Sequence, residues 1–378
     1  MEYRVILIEK KPLMLERLAI VVENIPGFAL VGSYHTAEEA IREAVNAQPN
    51  LLLLDTDGGA NMEMMPVLQR VFSQAGIICI DSQWDARIAS NIAQAGAKGY
   101  LIKPFTGEEL CAAVESFGKS GMGLVSDVMT FFSAKGKSGK TTLIANLALS
   151  LARKSGQPVA IIDADLQFGD IAVFFNLQVA GTIVEAVRDV HFLSPITLGS
   201  YFVPVNEKVN VLCGTRRPEM AEMVEPKAFA ELVKMARSLY RYILIDLPSA
   251  FNPLSIAAAE LADETFVVAM DNGGFELQHM RRALQIFQES WPEDYEKRLR
   301  PVISRVSPCD RFSQKKLEDI LNYPLTAILP NEYVLVSEAA NNGRMAVDIR
   351  PESSLSRSVD QLAEKVIGHR HLHKGAVG

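Results

Sequence analysis

Residues 131–142 read FFSAKGKSGKTT, and this stretch decides the fold. An apolar run, Val128–Ser133, leads into it with the length of a buried strand. Leu143-Ile144-Ala145-Asn146-Leu147-Ala148 follows with apolar residues at helical spacing. A strand, a glycine-containing turn and a helix N-terminus make an anion site, because free backbone N–H groups and the helix dipole face the same way. Lys140 is placed to reach β- and γ-phosphates, and Thr141 to offer its hydroxyl to Mg2+. Gly136, Lys137, Ser138, Gly139 and Thr142 complete the cradle. Ala134 stands where the G-x-x-x-x-G-K-[ST] pattern has its first glycine. The plainer alternative is a lysine-bearing turn without a ligand.

Around this stretch the chain has the composition of an ordinary globular protein. Its 378 residues suffice for two or three domains, with 48% hydrophobic and 22% charged side chains. No apolar run reaches the ~20 residues needed to span a bilayer, and the N-terminal apolar run is too short for a signal peptide. A cytoplasmic location is expected. Cys79, Cys111, Cys213 and Cys309 are scattered without a C-x-x-C, which suits reduced structural thiols better than a metal site. A net charge of −7 argues against a DNA-coating surface, so no specific nucleic-acid partner is expected.

The first 120 residues alternate strands and helices. Val5–Ile8, Ala29–Ser33, Leu51–Leu54, Ile77–Ile80 and Gly99–Ile102 read as strands, with amphipathic stretches near 12–24, 37–47, 62–74, 85–95 and 107–117 between and after them. Five βα units imply a doubly wound parallel sheet whose site lies at the strands' carboxyl ends. Glu9, Asp55 and Lys103 fall there. This resembles the receiver domain of response regulators. The resemblance implies that Asp55 is the phosphoacceptor candidate, that Lys103 contacts the phosphoryl group, and that Asp81 or Ser82 holds the switch hydroxyl position. Receivers carry two acidic residues after the first strand to hold Mg2+; here the pair is Glu9-Lys10. Lys10 opposes a hard cation and could instead pair with Asp55. Two readings stay open, a phosphate-independent pseudo-receiver used for docking and an active phosphotransfer domain.

Residues 121–127 read as a linker, and 128–368 as a second α/β domain followed by a tail, 369–378. Val159–Ile162 is a second buried strand ending in Asp163-Ala164-Asp165, and Tyr242–Ile245 a third, ending in Asp246. Further strands are expected at Thr265–Ala269, Pro301–Ser304 and Thr326–Leu329, giving a mostly parallel sheet of seven or eight strands. Asp246 is the Walker B candidate for Mg2+, with Asp163 beside it. No N-K-x-D guanine motif occurs, so ATP with Mg2+ is the expected ligand.

Lys135 precedes the turn's glycine, giving K-G-x-x-G-K-T. With the two aspartate-ended strands, this resembles the MinD/ParA family of dimerising ATPases with a deviant Walker A motif. The resemblance implies that Lys135 crosses a homodimer to the partner's nucleotide, that Lys140 binds phosphates, and that Asp165 helps place the attacking water. It implies Mg2+ near Thr141, Asp163 and Asp246, and base contacts at Ser304 and Pro330, where Ser304 replaces the family's asparagine. Asp170, in LQFGD, fits the family pattern without a clear role. Lys137 stands where the family has glycine; a positive φ there would cost roughly 1 kcal/mol and crowd the phosphates with a Cβ. Weak ATP hydrolysis is the expectation.

The two halves together resemble the CpaE/TadZ proteins of Flp (tight adherence) pilus assembly, as do segments 217–222, 246–251 and 339–344. The resemblance implies a dimer that settles at a cell pole and recruits pilus secretion machinery, with at most peripheral membrane association through partners. The alternatives are a non-enzymatic scaffold with a structural nucleotide, a response regulator with ATPase output, and a DNA-partitioning role. Ser354–Ile367 reads as a surface helix packed on the domain, and Glu276–Glu289 as a structural helix.

Overall fold

The computed structural model describes residues 3–44, 47–73, 75–119, 126–179, 181–193, 195–271, 273–307 and 314–373. The chain divides into two compact units, residues 1–124 with 189–200 and residues 125–188 with 201–378. Most of the expected linker and Cys309 lie outside the described residues, as do the side chains of His369, His371 and His373.

In the first unit, β1 (Tyr3–Ile8), β2 (Phe28–Tyr34), β3 (Leu51–Asp55), β4 (Gly76–Asp81) and β5 (Gly99–Ile102) form one parallel sheet in the order β2-β1-β3-β4-β5. Leu51–Leu54 are wholly buried, because helices cover both faces and leave a central strand no polar side. Val5, Leu7, Leu51 and Leu53 feed one core, and Ile6, Ile8, Leu52 and Leu54 the other, as period-two alternation requires. The strand order reverses between β1 and β3, so the carboxyl ends of those strands open on the crevice where Glu9 and Asp55 stand. The helix expected at 62–74 starts as a 3-10 turn, Met62–Met64, and becomes α-helical over Met65–Val71.

The second unit holds an eight-stranded sheet: β6 (Asp127–Phe132), β7 (Val159–Asp163), β8 (Val203–Pro204), β9 (Val209–Leu212), β10 (Tyr242–Asp246), β11 (Glu264–Met270), β12 (Leu299–Val306) and β13 (Ala327–Pro330). Their order is β13-β12-β11-β6-β10-β7-β9-β8, parallel except for β8, which runs antiparallel to β9. β8 and β9 have no counterpart in the sequence reading. The C-terminal helix runs Ser354–His373, beyond the expected Ile367 and into the expected tail. It packs its Leu355, Val359, Leu362, Ala363 and Val366 with the P-loop helix Lys140–Ser155 in one core.

At the sheet's centre, Thr130 on β6 and Thr265 on β11 are fully buried and share a hydrogen bond of 2.9 Å. Replacing one hydroxyl strands the other in an apolar layer, at a cost of about 1–3 kcal/mol. Thr130→Val alone should lower unfolding stability by that amount in urea titrations, and Thr130→Val with Thr265→Val should recover most of it.

Candidate functional site

Parallel register places the chemistry of the second unit. Asp246 of β10 is the register partner of both Asp163 on β7 and Phe131 on β6, the last turn before the loop 133–139. Both aspartates are 1% exposed. Lys140, the first residue of the P-loop helix, turns its ammonium back into this edge and hydrogen-bonds Asp246 Oδ1 and the Leu247 carbonyl. Thr141 Oγ1 donates to Asp246 Oδ2 at 2.9 Å. Asp163 Oδ1 accepts from Asp165 N–H and Oδ2 from Ile171 N–H, each at 3.3 Å. Asp165 itself is half-buried at the end of the run.

Burial, with the charge of Asp246 second, raises the Asp163 carboxyl well above the ordinary range. Burial likewise raises Asp246, though Lys140 pulls the other way. The edge therefore holds more buried carboxylate than its lysine neutralises, and a divalent cation fits that donor set. Gly169 makes room for the Asp163 carboxylate: a Cβ there would stand 2.2 Å from its Oδ1. Asp170 adds no side-chain cap to the short helix that follows it.

The loop itself is left-handed twice, at Lys137 (φ 64°) and Gly139 (φ 82°). The strained alternative for Lys137 thus holds, and its side chain is exposed. Gly136 has open space around it. The Ser138 carbonyl accepts from Ser304 Oγ, tying the loop to β12. Ser304 and Pro330 line one cleft with Gly139, Thr142, Asn146 and Tyr333, so the two base-contact candidates converge beside the loop. Lys135 points elsewhere: its Nζ lies 2.8 Å from Glu276 Oε1, on the helix Gly274–Ser290. That pairing spans 141 residues and left no mark in local spacing.

In the first unit, Lys103 is fully buried, with its Nζ 2.5 Å from Glu9 Oε2, 2.6 Å from Asp55 Oδ1 and 3.3 Å from Asp57 Oδ2. Burial opposes its charge, but hydrogen bonds to Asp55 and Glu9 outweigh that and keep its pKa above the ordinary value. The expected Lys10–Asp55 ion pair is corrected. Lys10 is exposed and offers Asp55 only its backbone N–H, at 3.4 Å. The lysine that balances Asp55 is Lys103, and Lys11 reaches Asp57 at 2.9 Å. Ser82 Oγ donates to Asp57 at 2.7 Å, so neither switch candidate bonds Asp55. Burial, with the neighbouring Asp57, pushes Asp81 up to about 6. Burial also works on Asp57, yet hydrogen bonds from Asp81, Lys11 and Ser82 hold it well below the ordinary range. Asp57 was not singled out in the sequence; its position two residues past Asp55 was the available signal.

Residues 5–115 match the response regulator receiver domain family, and residues 126–291 an AAA domain family. The chain joins a receiver domain to a MinD/ParA-like AAA domain. Among its relatives is an uncharacterised ATP-binding protein of Methanocaldococcus jannaschii, 28% identical over 254 residues, 66% of this chain and 90% of that protein. The septum site-determining protein MinD of Synechocystis is 26% identical over 218 residues, 55% of this chain and 77% of its own. A probable C4-dicarboxylate response regulator of Halalkalibacterium halodurans is 32% identical over 119 residues, 30% of this chain and half of its own. In fold, the MinD/ParA-like domain is similar to a ParA family ATPase of Chlorobium tepidum (TM-score 0.59, 20% identity, 64% of this chain, 98% of that one). It is also similar to MinD of Pyrococcus horikoshii complexed with Mg-ADP (TM-score 0.56, 21% identity, 66% and 98%).

In the receiver domain, removing Lys103 would leave Glu9 and Asp55 buried and unbalanced. Lys103→Met should therefore destabilise the domain by about 3 kcal/mol in denaturant unfolding. Adding Glu9→Gln should restore part of the loss.

Proposed function

We propose that this chain is an ATP- and Mg2+-dependent pairing factor that positions the Flp (tight adherence) pilus secretion machinery, at a cell pole. The observation that carries the nucleotide chemistry is Lys140 and Thr141 meeting on Asp246 at the sheet's carboxyl edge. In this reading Lys140 leaves Asp246 for the β- and γ-phosphates. Thr141 and Asp246, with Asp163 behind them, would hold Mg2+. When bound, that ion neutralises charge on the phosphate oxygens. Asp165 orients the attacking water, and the cleft at Ser304 and Pro330 takes the base. Lys135 crosses to the nucleotide of a second copy. The pilus role is supported by the resemblance of the joined domains, and of segments 217–222, 246–251 and 339–344, to CpaE/TadZ proteins. No helix among the described residues is long and apolar enough to cross a membrane, which agrees with attachment through partners.

Lys140→Ala should abolish binding of a fluorescent ATP analogue; unchanged affinity in that variant would overturn the assignment. A scaffold with a structural nucleotide is the second reading, favoured by the left-handed Lys137. Phosphate release above background at saturating Mg-ATP separates it from the first.

We read the receiver domain as phosphate-independent, because Lys103 already occupies Glu9 and Asp55 and only one acid follows β1. Incubation with acetyl phosphate and Mg2+ should leave the intact mass unchanged; an adduct on Asp55 would sink this reading.

A further inference from the structure

Lys135 is spoken for within its own chain. Its ammonium lies 2.8 Å from Glu276, whose side chain is 11% exposed, while the lysine side chain remains 55% exposed. Glu276 sits in the first turn of the helix Gly274–Ser290, where the dipole also favours a carboxylate. Gly273 (φ 94°) turns the chain into that helix just before it. A lysine whose ammonium rests on Glu276 is not free to cross to a second copy.

The surroundings of the pair supply what its opening requires. A small cavity behind the loop is lined by Ala134, Lys135, Ser138, Glu276, His279 and Met280. His279 stands one turn after Glu276, on the same side of the helix. Its Nδ1 is buried without a hydrogen-bond partner. Glu276 has the helix terminus beside it whether or not Lys135 is present, and His279 lines the same cavity. The pair is therefore built to open: one partner is half in water and the other retains support.

The same helix touches the Walker B loop. Phe287, further along it, packs on Phe251, five residues past Asp246, with ring centroids 5.3 Å apart. Both rings contact Phe132, the last residue of β6. One helix thus meets the loop that receives Lys140 and the lysine that would serve another subunit.

We infer that Glu276 is a positioning residue that latches Lys135 in the single chain, and that nucleotide-driven pairing of two copies requires this latch to release onto His279. The inference rests on the MinD/ParA-like reading of Lys135 given above. Its test is the self-association constant of the full chain with Mg2+ and a non-hydrolysable ATP analogue, from sedimentation velocity. Glu276→Gln should tighten pairing about two- to fivefold, the scale of a partly exposed ion pair. Glu276→Asp, which keeps the charge, should stay near wild type. In a Lys135→Ala background Glu276→Gln should change nothing. An unchanged or weakened association for Glu276→Gln, or an equal gain in the Lys135→Ala background, overturns the latch. Binding of the fluorescent analogue by the wild-type chain, read on the same samples, tells the two failures apart. If wild type binds and pairs without responding at 276, only the latch is lost. If wild type neither binds nor pairs, the functional reading falls and takes the latch with it.

Discussion

Parallel strand pairing forces Asp163 and Asp246 side by side at the carboxyl edge of the larger sheet. Burial raises the pKa of both, and the charge of Asp246 raises Asp163 further. The Lys140 ammonium on Asp246 is the interaction that makes the edge tolerable. It is available because the loop 133–139 delivers the first residue of the next helix back over the strand that precedes it. The βαβ topology thus creates both the problem and its remedy, and the remedy leaves unneutralised carboxylate beside a helix N-terminus. Such an edge suits a ligand with alternating charge, a polyanion carrying its own divalent cation.

The receiver domain meets the same constraint and resolves it differently. Glu9 and Asp55 end neighbouring parallel strands, but Lys103 answers both within hydrogen-bond distance and lies fully inside. Lys11 attends to Asp57, whose hydrogen bonds from Asp81, Lys11 and Ser82 hold it below the ordinary range, while burial raises Asp81 to about 6. Charge there closes on itself. One chain therefore carries two acidic sheet edges of similar origin, one in which Lys103 and Lys11 pair with three of the carboxylates and one in which a single lysine meets two buried aspartates.

Much of this was legible in the amino-acid order. Each expected strand appears within a residue or two at either end, because buried parallel strands are near-continuous apolar runs. The GKTT turn and the three strand-end aspartates were readable for the same reason. What escaped depends on distance in the chain. β8 and β9 are short, and two residues cannot show alternation. Glu276 lay inside an amphipathic helix whose apolar spacing was correctly read, but nothing local announces that its carboxylate is buried against Lys135. Lys10 and Lys103 illustrate the converse. Both stand far from Asp55 in the chain, 45 and 48 residues away, so separation could not choose between them; the fold brings in the Lys103 ammonium and leaves Lys10 exposed. Gly169 could be identified only once Asp163 was seen pressed against it.

Lys137 connects these levels. A non-glycine residue at φ 64° costs roughly 1 kcal/mol, and a lysine has many more comfortable conformations in an exposed turn. With Gly139 also left-handed, Lys137 lets the loop turn back so that Lys140 lands over Asp246. The side chain is exposed and, among the described residues, makes no buried contact that would offset the backbone cost. Strain accepted for the sake of an anion-binding shape, next to carboxylates short of a cation, favours a loop whose geometry is kept for a bound polyphosphate.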